Sequence, residues 1–161
     1  MPIPTLLTLA LLAAAQAPAQ APPASPLERF FVGRTEGQGT VHVILSGTHA
    51  VRHRSRGRME RGALVIDQVV EEEGKPARPR SWRLVRAGGD RVSGTITDVR
   101  GPVTGTIAGN VITLRYRLAE GPSVEQSITV HPSGRAASNR MTFRRFGLVV
   151  ARAEEVIRRV E

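Results

Sequence analysis

Five polar residues are the best candidates for chemistry or ligand contact, and they are Arg34, Glu36, Asp98, Arg115 and Tyr116. If the fold brings Glu36 and Asp98 together, their two carboxyl groups could act as a general acid and base. A carboxylate that pairs with Arg34 or Arg115 is the commoner arrangement. No catalytic nucleophile is identifiable, so we predict a ligand site at these positions and assign no catalytic residue.

A second set of residues forms a regular series of arginines. Arg52, Arg54, Arg56 and Arg58 alternate with other residues, so in a strand all four guanidinium groups lie on one face. Such a face is commonly just solvated. The alternative is that it contacts phosphates of lipid head groups or lipopolysaccharide, because the planar guanidinium binds such oxygens in a bidentate manner.

The histidines do not predict a metal site. His49 and His53 are four residues apart, which in a strand is about 13 Å, too far for both rings to bind one ion. The remaining two, His42 and His131, are distant in sequence. The glycines of residues 33–39 do not match a dinucleotide fingerprint, and a phosphate loop and a nucleophile elbow are also missing from the sequence. We therefore predict no cofactor and no metal.

Composition favours one globular domain that attracts anions. The chain has 161 residues, a net charge of +9, no cysteine, and Lys75 as its single lysine. Nucleic acid, anionic lipid and acidic polysaccharide would all be attracted by this charge. Aromatic residues make up only 4%, too few for a platform on which bases stack, and this argues against nucleic acid.

The first residues are typical of a secretory signal. Leu6 to Ala15 is apolar apart from Thr8, and Ala13-Ala14-Ala15 fits the pattern cleaved by a signal peptidase. We assign residues 1–15 to a signal peptide, 16–24 to an Ala/Pro/Gln-rich linker and 25–161 to one domain, and expect a soluble periplasmic or envelope protein. Because residues 1–5 contain no Lys or Arg, an uncleaved anchor stays open.

The elements that must position these residues are mostly strands. Ser25-Pro26-Leu27-Glu28 predicts a helix start with a capping box, after which Leu27, Phe30 and Phe31 could close one end of a barrel. Short apolar runs between Gly-containing turns then predict an all-β, antiparallel, up-and-down barrel of roughly eight to ten strands. The runs are Thr40 to Leu45, Ala63 to Val70, Trp82 to Val85, Val92 to Thr97, Val103 to Ile107, Val111 to Leu118 and Val124 to Val130.

The C-terminal stretch gives two signals. Leu148 to Val150 favours a strand, whereas Glu154 with Arg158 and Glu155 with Arg159 have the spacing of helical ion pairs. We predict a last strand with a frayed or helical tail.

Several ordered motifs support a relationship to a known family. They are Gly33-Arg34-Thr35-Glu36-Gly37-Gln38-Gly39, Asp98-Val99-Arg100-Gly101, Ala108-Gly109-Asn110, Arg115-Tyr116-Arg117-Leu118, Asn139-Arg140 and Phe146-Gly147. Together they resemble a bacterial family known as domain of unknown function 3833. The resemblance implies a small envelope protein with a lipocalin-like (calycin-like) barrel, and it supplies no catalytic residues.

The chain departs from this family's pattern in three places. It lacks the cysteine that many of these proteins use for lipid attachment, Gln38 stands where an aromatic is usual, and Glu125-Gln126-Ser127 replaces a tryptophan-containing strand. Our leading prediction is a non-enzymatic barrel that binds a small apolar or amphipathic, lipid-like ligand. The alternatives are a filled barrel that acts through its arginine-rich surface and, third, an enzyme acting on envelope lipids through Glu36, Asp98, Arg115 and Tyr116.

Overall fold

The computed structural model describes residues 23–119 and 121–160, and in these ranges it confirms an all-β, lipocalin-like barrel with a short N-terminal helix. Ten antiparallel strands follow helix α1 and close into a single barrel. The predicted signal peptide (1–15) and most of the predicted linker (16–24) lie outside the described residues. The elements are α1 (Pro26–Phe31), β1 (Gly33–Val43), β2 (Gly47–Glu60), β3 (Ala63–Glu72), β4 (Arg78–Arg86), β5 (Arg91–Ile96), β6 (Val99–Ala108), β7 (Val111–Leu118), β8 (Ser123–Val130), β9 (Ala136–Arg145) and β10 (Leu148–Val160).

The barrel has two different ends. Each strand pairs with its sequence neighbours, and β1 pairs with β10 to close the sheet. The turns after β1, β3, β5, β7 and β9 therefore lie together at one end, which we call the open end. Helix α1 lies at the opposite, closed end, where Val32 bridges Gly57 of β2.

Helix α1 is held by its cap and by one arginine. The backbone N–H of Glu28 donates to Ser25 Oγ at 3.3 Å, and that of Ser25 donates to Glu28 Oε2 at 2.7 Å, which confirms the predicted capping box. The helix buries Leu27, Phe30 and Phe31, as the sequence predicts. Arg159 of β10 donates to the carbonyl oxygens of Arg29, Phe30 and Val32 at 2.6 to 2.8 Å, and thereby satisfies acceptors at the end of the helix.

The C-terminal tail corrects one prediction. The structure continues β10 as a strand to Val160, so a helical or frayed tail is wrong. Residues 151, 153, 155 and 157 face the interior, and the strand is paired on both sides, with β1 and with β9. These pairings satisfy the backbone along the whole stretch and outweigh ion pairs at helical spacing, which stabilise a helix by only about 0.5 kcal/mol each.

Candidate functional site

The barrel interior contains a cavity of about 380 Å³, so the interior is not filled by side chains. Period-two alternation directs one side chain in two inward along each strand. At the closed end of the cavity these inward side chains are apolar. Leu27 and Phe31 of α1 cover this end, together with inward residues of β3, β4, β8 and β10, namely Ile66, Leu84, Ile128 and Ile157.

Half-way along the barrel a belt of polar side chains crosses the apolar wall. The Tyr116 hydroxyl donates to Gln126 Oε1 at 3.0 Å, and Gln126 Nε2 donates to Asn139 Oδ1 at 3.0 Å. Asn139 Nδ2 then donates to Glu155 Oε2 at 2.6 Å. All four side chains are buried on the neighbouring strands β7, β8, β9 and β10. The chain of bonds therefore points every donor towards the Glu155 carboxyl group.

The belt continues from Glu155 around the rest of the barrel. His53 Nε2 lies 3.9 Å from Glu155 Oε2, and His53 Nδ1 lies 3.3 Å from Ser55 Oγ. Gln68 donates through Nε2 to Ser55 Oγ at 3.4 Å and accepts from the Trp82 indole N–H at 3.3 Å. The Trp82 ring packs edge-on against the Tyr116 ring at a centroid distance of 5.7 Å, and this contact completes the belt.

Burial determines the protonation of the belt. The pKa of His53 falls to about 4, first because the ring is buried and second because the Arg80 guanidinium is near. Burial raises the pKa of the Glu155 carboxyl, against the hydrogen bond from Asn139 and the charge of Arg80. Burial also raises the pKa of the Tyr116 hydroxyl. At neutral pH His53 and Tyr116 are therefore uncharged.

Gly37 provides the space in which the His53 ring lies. A Cβ atom at position 37 would lie 2.0 Å from His53 Nε2 and 2.5 Å from Cε1, closer than any real contact. Gly37 and His53 are direct cross-strand partners on β1 and β2. The glycine within the motif of residues 33–39 thus has a physical role, which is to let the imidazole pack against the backbone of β1.

Arg80 brings a positive charge to the cavity wall. Its Nε and Nη2 atoms donate to Asp98 Oδ2 at 3.0 and 2.5 Å, and its side chain is only 10% exposed. The guanidinium carbon lies 5.9 Å from the centre of the Trp82 ring. Arg80 has five N–H donors, and the bonds to Asp98 use two of them.

The structure divides the predicted ligand residues between two faces. Tyr116 lines the cavity, and Asp98 holds Arg80 in its wall. Arg34, Glu36 and Arg115 are exposed on the outside of the barrel, where Arg115 forms a salt bridge with Glu125 at 2.9 Å. Glu36 faces outwards on β1. Asp98 lies in the turn after β5 and forms a salt bridge with Arg80, so the two carboxyl groups do not converge.

The arginine series lies on the outer face of β2, as the alternation predicts. Arg52, Arg54, Arg56 and Arg58 are all exposed. Arg54 forms a salt bridge with Glu71 at 2.8 Å and Arg58 with Asp67 at 2.6 Å.

Most of the belt was not predicted from the sequence. From the sequence alone, His53 stands out only as a possible metal ligand and Glu155 only as a helical ion-pair partner. Each occupies one of the alternate, inward-facing positions of its strand. Assigning β2 and β10 as continuous strands would therefore have placed both side chains in the interior. In the described ranges no group of three or more His, Asp or Glu side chains could hold a metal ion. The helix of the described chain is also not long and apolar enough to cross a membrane.

Two solved structures share the fold at low sequence identity. The S-type phycobiliprotein lyase CPES from Guillardia theta is 10% identical with a TM-score of 0.63, and the match covers 84% of this chain and 93% of that one. Rv2717c from M. tuberculosis is 17% identical with a TM-score of 0.66, and the match covers 86% and 99%. A search of curated proteins found no match.

The family comparison agrees with the motifs quoted above. Residues 6–159 match the family described as "Protein of unknown function (DUF3833)", which is nearly the whole chain. The chain therefore belongs to the DUF3833 family.

Proposed function

We propose that this protein is an exported envelope protein that binds a small amphipathic, lipid-like molecule inside its barrel without catalysing a reaction. The observation that carries this proposal is the division of one cavity into two chemical zones. The closed end is lined by aliphatic and aromatic side chains, while the middle carries the polar belt and the Arg80 guanidinium. An apolar chain would lie at the closed end, with its polar head towards the belt.

The size and lining of the cavity suit such a ligand. About 380 Å³ is within the range of roughly 300 to 1,000 Å³ that is usual for small-molecule sites, and most such sites combine apolar walls with a few placed polar groups. The N–H groups of Arg80 that do not bond Asp98 can donate to the ligand head. Lys75 and Arg78 also line the cavity, so we expect an anionic head to bind better than a neutral or cationic one.

The belt favours binding over catalysis. Its members are hydrogen-bonded to one another along the wall, from Tyr116 through to Glu155, rather than directed at one reacting position. A network that is satisfied without a ligand lets the cavity exist empty at little cost, because buried polar groups are costly mainly when they lack partners. Reversible uptake and release follow from that property.

The proposal is tested with Trp82, the single tryptophan of the chain, as a fluorescent reporter in the cavity wall. The protein is titrated with a medium-chain fatty acid, the matching alcohol and the matching amine. The proposal predicts saturable binding in the order acid, alcohol, amine. Arg80→Gln combined with Asp98→Asn, which avoids leaving a buried carboxylate unpaired, should weaken the preference for the acid and keep binding of the alcohol. No saturable change with any of the three would contradict it.

The location is a separate part of the proposal and rests on residues 1–15. Intact mass of the protein in the periplasmic, membrane and cytoplasmic fractions of an expressing bacterium tests it. Cleavage after the Ala-rich segment supports export with a removed signal, full length in the membrane fraction indicates a retained anchor, and full length in the cytoplasm contradicts export.

A second candidate function uses the outer face. Arg34 of β1 lies directly opposite Arg56 of β2, and like charges at such positions oppose each other. Among the described residues, Arg52 and Arg56 form no salt bridge with a carboxylate. This face could contact an anionic envelope surface such as lipopolysaccharide. Arg52→Gln with Arg56→Gln should then reduce co-sedimentation with lipopolysaccharide and leave Trp82 titrations unchanged.

A further inference from the structure

Two hairpin tips at the open end carry large apolar side chains in full contact with solvent. Leu45, between β1 and β2, and Phe146, between β9 and β10, are 102% and 97% exposed. The two hairpins are neighbours because β1 pairs with β10, and the backbone N–H of Ile44 donates to the Val150 carbonyl at 3.0 Å. The tips therefore form one protruding edge beside the mouth of the cavity.

The fold gives no reason for apolar residues at these tips. Leu45 has φ of 72° and Phe146 of 52°, a left-handed conformation that costs residues other than Gly and Asn about 1 kcal/mol or more. Phe146 and Gly147 form a two-residue hairpin loop with φ of 52° and 78°, where Asn-Gly is the favoured pair. Leu45 and Phe146 stabilise neither the backbone conformation of these turns nor the core. This points to a role for both side chains outside the barrel.

Exposed apolar residues are concentrated at this edge. Leu45, Phe146 and Leu148, which is 72% exposed, are the three most exposed large apolar residues in the described ranges. Ile44 adds a fourth to the same two hairpins. The most exposed such residue elsewhere, Met59 near the closed end, is 47% exposed.

A row of arginines borders the same edge. Arg100 of β6 pairs with Arg117 of β7, Arg117 with Ser123 of β8, and Ser123 with Arg144 of β9. This row lies on the outer wall of the open end and leads to the Phe146 hairpin. Cationic side chains around protruding apolar ones complement a surface that is anionic at its boundary and apolar beneath it.

We propose that the open end docks on an anionic lipid bilayer, with Leu45 and Phe146 inserted at the interface and Arg100, Arg117 and Arg144 on the head groups. Docking in this orientation places the mouth of the cavity against the membrane. The inference goes beyond ligand binding and does not depend on it, because the tips and the arginine row would bind a bilayer whether or not the cavity is occupied.

The test is co-sedimentation of the mature protein, which lacks the predicted signal peptide, with phosphatidylcholine vesicles that do or do not contain phosphatidylglycerol. We expect binding to the mixed vesicles that weakens with salt. Leu45→Gly and Phe146→Asn suit the left-handed backbone, so they should keep or raise thermal stability while each weakens vesicle binding about tenfold, as loss of an apolar contact of this size implies. Arg117→Gln with Arg144→Gln should weaken only the binding that depends on phosphatidylglycerol. Met59→Gln, a control at the far end, should bind like the wild type.

Any of four results would overturn the proposal. The wild type could fail to bind the mixed vesicles, or the two tip variants could bind them as well as the wild type does. The tip variants could instead convert a dimer into a monomer without any vesicle binding, which would assign the edge to a second copy of the chain. If Arg52→Gln with Arg56→Gln abolishes binding while the tip variants do not, the outer face of β2 is the membrane contact.

Discussion

Acidification should destabilise the protein through His53. The unfolded chain takes up a proton on this ring below pH 6.5, whereas the folded protein takes it up only near pH 4. Because the folded pKa is lowered, the stability is fully present above pH 6.5 and is lost as the pH falls towards 4. The gap corresponds to about 3 kcal/mol, at about 1.4 kcal/mol per pH unit.

The assay is urea unfolding of the wild type and of His53→Gln at a series of pH values from neutral to about 4. Glutamine does not titrate, so the wild type should lose about 3 kcal/mol more than the variant over this range. The opposing contribution of Glu155 is common to both proteins and largely cancels in the difference. His42→Gln, on the outer face of β1, is the control and should follow the wild type. Parallel loss of stability in the wild type and His53→Gln would refute the reasoning.

Three further perturbations test the belt and the helix. Gly37→Ala should destabilise the fold by about 1 to 3 kcal/mol in urea unfolding because the methyl group overlaps the His53 ring. Adding His53→Ala should remove most of that cost. Equal costs with and without His53 would contradict this. Because the pKa of Glu155 is raised, ionising this buried carboxyl costs no stability below pH 4.5 and costs more as the pH rises. Glu155→Gln should therefore gain stability relative to the wild type between acidic and neutral pH. A constant difference between the two proteins would contradict this. Arg159→Gln removes three hydrogen bonds to the end of α1 and should lower stability by about 1 to 3 kcal/mol, with faster amide exchange confined to α1 and its neighbours; unchanged exchange there would contradict that role.

The fold could be predicted where alternation is strong. Ile112, Leu114 and Tyr116 on β7 alternate with polar residues, and the structure buries all three. Strands β2 and β9 were missing from the apolar runs. In β2 the inward positions include His53, Ser55 and Gly57, which give no apolar period. Polar residues inside a barrel are visible only once the strand and its parity are known.

The candidate site was harder to predict because its parts are distant in sequence. Of the predicted ligand residues, Tyr116 lines the cavity and Asp98 pairs with Arg80 in its wall, whereas Arg80 itself lies two residues before the predicted start of its strand. The three hydrogen bonds from Tyr116 to Glu155 join residues 10, 13 and 16 positions apart on different strands. No local pattern records which inward side chains meet across a closed sheet. The size of the cavity depends on the total volume of the inward-facing side chains, which the spacing of residues along the sequence does not give.

The most direct test of the central claim is mass spectrometry of organic extracts from the protein purified without detergent from a bacterial host. The control is Ala151→Phe, which places a ring in the cavity at a position where the wild type has only a methyl group; its folding is checked by circular dichroism. A binder of amphipathic molecules predicts one class of such a molecule at near-stoichiometric amount in the wild type and much less in the variant. An empty wild type that also fails to take up added fatty acid, or equal amounts of the same molecule in both proteins, would contradict ligand binding in the barrel.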